Sequence, residues 1–290
     1  MYNVEKSVYD IKLNTLKKNI SSAFYNLKYI NEKIKAYKEL DSLYSNFSNA
    51  AKRKFELGET NYLEMITAES KHRQIELHLN KSKTEATIVM EKLKTFIQLD
   101  TIIIDITPLK KVERKTLDIQ NNLGYLFYEN NKTLSQAVLK KEKQNLLPDI
   151  TLDYFEGSNS TLNSSLRGYQ LGLKIPLLFG STSSKIKMAK IANQVAEDQQ
   201  ENFKINYRKE YTILTQKINQ LTEELSYYES YGNKVSREIL KTANSSYKYG
   251  EIDFFQYIQS IENAIDIELA YLENLNAYNQ TILSLNYLTF

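Results

Sequence analysis

The sequence predicts a mainly α protein built on long α-helical hairpins, with a single β-hairpin set between them. Three observations carry that prediction. Only three prolines and eight glycines occur in 290 residues, few for a globular chain, and this scarcity favours long uninterrupted helices. A nine-residue stretch is stated twice. Strict apolar/polar alternation, the signature of a half-exposed strand, is confined to one short region.

The doubled stretch is Phe55-Glu56-Leu57-Gly58-Glu59-Thr60-Asn61-Tyr62-Leu63, which returns as Tyr247-Lys248-Tyr249-Gly250-Glu251-Ile252-Asp253-Phe254-Phe255, 192 residues later. The same offset pairs Ala51 with Ala243, Ile66 with Ile258, Ile75-Glu76-Leu77 with Ile267-Glu268-Leu269, and Leu93 with Leu285. In each copy a Gly-Glu pair interrupts helix-forming residues. Glycine accepts positive φ and ends helices, and Thr60 or Asp253 just beyond can cap the next helix. Each copy therefore reads as the tip of a helical hairpin, and the pair as an internal repeat.

In chain order, residues 3–56 read as one helix, with Leu13, Leu16, Ile20, Phe24, Leu27, Ile30 and Ile34 spaced by three and four. A helix of that length runs about 80 Å, which implies coiled-coil or tube-like packing. The returning helix, 60–98, has a weaker apolar stripe and reads as facing water on more than one side. Thr101-Ile102-Ile103-Ile104-Asp105-Ile106-Thr107-Pro108 is β-branched and ends in proline, so it is extended. A helix over 116–145 leads to Leu146-Leu147-Pro148-Asp149. Next, Ile150, Leu152 and Tyr154 alternate with Thr151 and Asp153. After the polar, flexible linker Gly157–Ser165, Tyr169, Leu171, Leu173, Ile175 and Leu177 alternate with Gln170, Gly172, Lys174 and Pro176. One face is apolar and the other polar, as a membrane β-barrel requires. A soluble hairpin packed on a helix satisfies the same alternation, and this segment alone favours that blander use. From Ser181, placed as an N-cap, a second long helix runs to 249. The last, 253–289, carries Phe254, Ile258, Ile261, Ile265, Leu269, Leu272 and Leu275 on one stripe. The expected organisation is a first helical hairpin (1–100), a connector with a helix (101–147), the β-hairpin (148–179) and a second helical hairpin (180–290).

A formal charge of +3 and the absence of a clustered basic face argue against nucleic acid. Lys110-Lys111 and Lys140-Lys141 read as solvated helix faces. With no cysteine there is no disulfide framework and no thiolate metal site. No run reaches the ~18 apolar residues of a transmembrane helix, and the start has no apolar h-region of a signal peptide. His72 and His78 are six residues apart, off the three-or-four spacing of two ligands on one helix face, so no metal is expected there. Phosphate loops, nucleophile elbows and metalloprotease pairs are absent, which points to a non-enzyme without cofactors. Tyr154 and Tyr169 suit an interfacial belt, whereas Tyr227, Tyr228 and Tyr231 read as helix-packing residues.

Leu147-Pro148-Asp149 before a strand, Gly172-x-x-Ile175-Pro176-Leu177 before a helix, the Tyr247-x-x-Gly250 tip and its twin Phe55-x-x-Gly58 occur in an order that resembles the TolC-like outer-membrane efflux family along the whole chain. Gly250-Glu251-Ile252-Asp253-Phe254-Phe255-Gln256-Tyr257 looks most like the outer-membrane factors of heavy-metal efflux systems, some of them fused behind a pump of the resistance-nodulation-division class. The resemblance implies a homotrimer whose β-barrel spans the outer membrane and whose helices form a periplasmic α-barrel tunnel. It implies a passive export duct for heavy-metal cations or other toxic small molecules, in the outer membrane and periplasm of a Gram-negative bacterium. It assigns Leu57, Gly58, Glu59, Thr60, Tyr249, Gly250, Glu251 and Asp253 to the tips that meet a periplasmic adaptor, which couples to an inner-membrane pump. The two glutamates equally suit the N-terminal end of a helix dipole. Ile150, Leu152, Tyr154, Tyr169, Leu171, Leu173 and Ile175 become membrane strands facing outer-membrane lipid, with Gln170 and Lys174 facing the lumen. The first repeat is incomplete: Met1 already sits in the helix that should follow its strand pair. Three copies would then supply six strands rather than twelve, and open edges in lipid are not tolerated, so the chain is expected to be the C-terminal portion of a longer protein. The competing reading is a soluble coiled-coil scaffold without transport.

Overall fold

The computed structural model describes residues 1–101, 107–159, 164–175 and 179–289. Its elements are α1 (Tyr2–Glu56), α2 (Tyr62–Ile97), a 3₁₀ turn (Ile119–Asn121), α3 (Leu123–Gln144), β1 (Asp149–Asn159), β2 (Ser164–Lys174), α4 (Phe179–Tyr227), a π turn (Tyr228–Gly232), α5 (Asn233–Lys248) and α6 (Phe254–Asn286). The repeat is exact at its tips: α1 ends at Glu56 and α5 at Lys248, α2 opens at Tyr62 and α6 at Phe254, each pair 192 residues apart. The chain divides into two compact units. One contains Lys12–Leu117 and Lys209–Leu288, the other Met1–Ile11 and Asp118–Arg208 together with Thr289.

In the larger unit α1 and α2 form the expected antiparallel hairpin. Leu27 and Ile30 pack on Val89 and Leu93, and further along Tyr37 and Leu40 meet Leu79. Nearer the tip, Tyr44, Phe47 and Ala51 of α1 share a core with Ala68, Ala243, Phe254, Tyr257, Ile258 and Ile261. The predicted stripe of α6 is thus its buried face, with Phe254, Ile258, Ile261 and Leu275 all nearly inaccessible. On α2 the buried positions are few, and Leu63, Ile66, Leu77 and Ile88 remain exposed. Ser236 Oγ donates to the carbonyl of Ala264 at 2.8 Å and fixes the α5–α6 register.

Two helices depart from the sequence prediction. The helix expected over 116–145 begins only at Leu123, where the Asn122 side chain accepts from the backbone of Gly124 and Tyr125. The residues before it are held against α6 instead. Asn279 Oδ1 accepts from the Val112 amide at 2.8 Å and its Nδ2 donates to the Lys110 carbonyl at 2.9 Å. Asn286, two helical turns on, repeats the clamp on Lys115 and Glu113 at 2.8 and 2.9 Å. The long helix expected over 181–249 starts at Phe179, ahead of the predicted cap at Ser181, and is interrupted by the π turn. There a Cβ on Gly232 would come 3.0 Å from Tyr228 Cδ1, so a larger residue needs that ring to shift. Of the neighbouring tyrosines expected to pack, Tyr227 and Tyr231 are exposed. Residues 102–106 of the segment predicted as extended lie outside the described residues.

In the smaller unit α3 runs antiparallel to the first part of α4. Gly124 faces Phe203, Lys132 lies 3.9 Å from Glu197, and Ser135 meets Asn193. Tyr128, Phe203 and Tyr207 form an aromatic ladder along that contact. No helix among the described residues is long and apolar enough to cross a membrane.

Candidate functional site

Gly58 and Gly250 both sit at φ +75°. In each tip the glycine amide donates three residues back, to Phe55 or Tyr247 at 2.9 or 3.2 Å. The following glutamate amide donates five residues back, to Lys54 or Ser246, at 2.8 Å in both. This is the Schellman arrangement, which satisfies carbonyls left open at a helix end. The two tips are backbone copies of one another.

Their exits differ. Asp253 caps α6 as predicted, with a reciprocal box in which Gln256 Oε1 accepts from the Asp253 amide. At the first tip the cap of α2 is Asn61, whose side chain accepts from the Glu64 amide at 2.9 Å, while Thr60 donates to the Glu64 carboxylate. The expectation that Thr60 caps is corrected by one position, and the Asn-x-x-Glu spacing was a readable signal for it. Glu251 accepts from Ser246 Oγ at 2.8 Å, a local bond that closes the second tip.

Leu57 and Tyr249, equivalent in the repeat, each expose 73% of their surface. Tyr62 and Leu63 are exposed beside Leu57, and Phe255 beside Tyr249. The fold brings both tips to one end of the larger unit, since Ala51, Ala68, Ala243 and Phe254 share a cluster. Behind the second tip Tyr247 stacks on Tyr257, centroids 4.5 Å apart. Burial, with Glu64 near the first and Tyr247 near the second, pushes both hydroxyls up, so they stay neutral at physiological pH.

The β-hairpin is longer than predicted: its strands take in most of the expected linker, whose residues 160–163 lie outside the described ones. Its antiparallel register pairs Ile150 with Leu173, Leu152 with Leu171 and Tyr154 with Tyr169. The apolar residues therefore share one face, closed at the end by a Glu156–Arg167 ion pair at 2.8 Å. The other face carries Asp149 opposite Lys174 and Asp153 opposite Gln170, and there the Phe155 ring covers Gly168. The six apolar side chains are 53–78% exposed, so no helix covers them. Ile175, expected within the strand, is exposed one residue beyond the end of β2. Pro176 and Leu177 lie outside the described residues.

The structure also groups residues that spacing of the histidines alone missed. His72 and Glu76, one turn apart on α2, converge with Asp41 of α1, their ligand atoms within 4.8 Å of one another. His78 is separate and stacks on Tyr37.

No protein-family model matches the chain, and no curated protein sequence matches it significantly. Solved structures match its fold closely. The Campylobacter jejuni CmeC outer membrane channel superposes with a TM-score of 0.83 at 15% identity, over 99% of this chain and 64% of that one. The open state of the Neisseria gonorrhoeae MtrE outer membrane channel gives 0.82 at 14%, over 99% and 68%. The outer membrane protein VceC of Vibrio cholerae gives 0.81 at 12%, over 97% and 70%. The chain thus spans about two thirds of the length of these proteins, and across that span it has the fold of the TolC-like outer-membrane channels.

Proposed function

We propose that the chain is a subunit of an outer-membrane channel in a tripartite efflux system, conducting passively while an inner-membrane pump of the resistance-nodulation-division class supplies the energy. The observation that carries this reading is the β-hairpin: two aliphatic rungs and a tyrosine pair on one uncovered face, with Asp149, Lys174, Asp153 and Gln170 on the opposite one. That alternation is what a lipid-facing, lumen-lined barrel strand needs, and it occurs in a chain with the fold of outer-membrane channels. Ile150, Leu152, Tyr154, Tyr169, Leu171, Leu173 and Ile175 meet lipid on this reading, and Gln170 and Lys174 face the lumen.

The exposed, repeated tips around Leu57-Gly58-Glu59-Thr60 and Tyr249-Gly250-Glu251 with Asp253 are assigned to a periplasmic adaptor, to which they offer apolar side chains on rigid glycine turns. Assembly as a homotrimer finds support in α2, where Ile66, Leu77 and Ile88 are exposed at intervals of eleven residues and so lie along one side of the helix. The exported class is toxic small molecules or heavy-metal cations. The test is partition in a Gram-negative host. Recovery in the outer membrane, released by detergent as a trimer, supports the channel, whereas a water-soluble monomer in the periplasm overturns it.

A further inference from the structure

Asp41, His72 and Glu76 have no part in the tips, the hairpin or the adaptor reading, yet they are arranged as metal ligands. His72 and Glu76 stand one turn apart on α2, a spacing that projects both side chains from one helix face. Asp41 approaches from α1. Its Oδ1 is shut off from solvent and accepts no hydrogen bond, although His72 Nε2 lies only 3.3 Å away. A carboxylate oxygen withdrawn from water without a hydrogen bond is costly, and with His72 neutral the two electron-pair donors at this separation invite a shared cation. Ligands about 2.0–2.1 Å from a tetrahedral ion stand roughly 3.3 Å from each other, which is the separation of this pair.

Two cationic side chains, Lys52 and Arg73, line the groove beside His72 and Glu76. Arg73 reaches Glu76 Oε2 at 3.7 Å and Glu69 Oε1 at 3.8 Å, both beyond hydrogen-bonding distance, from a side chain 72% exposed. Lys71, next along the helix, is paired with Glu262. That groove, of about 560 Å³ and lined also by Ser48, Asn49 and Glu69, admits a hydrated ion on the side of the two α2 ligands.

We propose that Asp41, His72 and Glu76 bind one divalent cation of the Zn²⁺ type between α1 and α2. One imidazole and two carboxylates suit zinc, cobalt or nickel, and three protein ligands leave room for water in the remaining coordination. The ion would clip the first helical hairpin between its tip and its middle. The site lies within one unit and does not depend on the channel reading.

Zn²⁺ titrated into the full chain should bind one-to-one and raise its Tm, since a cation that binds only the folded state stabilises it. Co²⁺ should give visible absorption of a four- or five-coordinate ion in the unmutated protein, a readout that needs no variant. His72→Gln and Asp41→Asn should each weaken Zn²⁺ binding at least about tenfold, the scale on which a disturbed metal shell loses affinity. His78→Gln should leave it unchanged. Failure of Zn²⁺ to bind saturably, or undiminished binding by His72→Gln, would overturn the site and leave Asp41 and His72 as a plain interhelical ion pair.

Discussion

Gly58 and Gly250 hold a left-handed conformation with open space where a Cβ would go, so backbone strain alone sets the cost of replacing them. Alanine at either position should lower the unfolding free energy by about 1–2 kcal/mol, measured by urea denaturation. Asparagine, which tolerates this region, should cost less; equal losses for the two would mean that the side chain, not the backbone, matters. Glu268 offers a test by pH. Partial withdrawal of its carboxyl from water, and then Glu39, hold it above the ordinary value of 4.5, against the smaller downward pull of Arg237 and Lys35, with Glu32 a minor upward one; the residue as a whole stays exposed, so solvent screening keeps the effect small. The folded state therefore keeps this proton longer than the unfolded chain. Its favourable contribution is complete below that ordinary value and is lost as pH rises through the elevated one. Glu268→Gln should accordingly stabilise the protein slightly at pH 7 and less still at pH 4, in thermal melts at the two values.

The connector before α3 is held in its path by two asparagines of α6, beside its own Leu109 buried against Leu225 and Leu275. Asn279 is fully buried and serves the backbone of both Lys110 and Val112. Asn279→Leu fits the helix but leaves that amide and carbonyl without their partner, at about 1–3 kcal/mol for each group. The loss should appear in denaturant melts and as faster amide exchange at Val112. In the hairpin, residues of one face are paired rung by rung across the strands. On the proposed membrane reading, Leu171→Arg places a charge among lipid at a cost of roughly 2–4 kcal/mol near mid-bilayer, and the variant should not be recovered in the outer membrane. Normal recovery would return the hairpin to a water-facing role.

For the whole molecule, the exposed line of α2 decides between a subunit and a free-standing scaffold. If Ile66, Leu77 and Ile88 are covered by another copy, Leu77→Asp should shift the detergent-solubilised trimer to smaller species in sedimentation while helix content stays the same. An unchanged trimer would place the interface elsewhere. Channels that share few of its residues share the fold of nearly the whole chain. Helix phase, tip geometry and hairpin register are met by many side-chain sets, so likeness of fold outlasts likeness of sequence.

Much of that frame is legible in the residues themselves. Proline scarcity, the three-and-four spacing of apolar residues in α1 and α6, the two glycine tips and the alternation at 150–154 and 169–173 are local signals, because helix phase, positive φ and strand pleat are properties of neighbouring residues. Tertiary structure alone decided the rest. The late start of α3 depends on asparagines more than 160 residues away. The union of Asp41 with His72 and Glu76 depends on the register of α1 against α2. Each is a contact between segments distant in sequence, and no local periodicity encodes which partner will arrive.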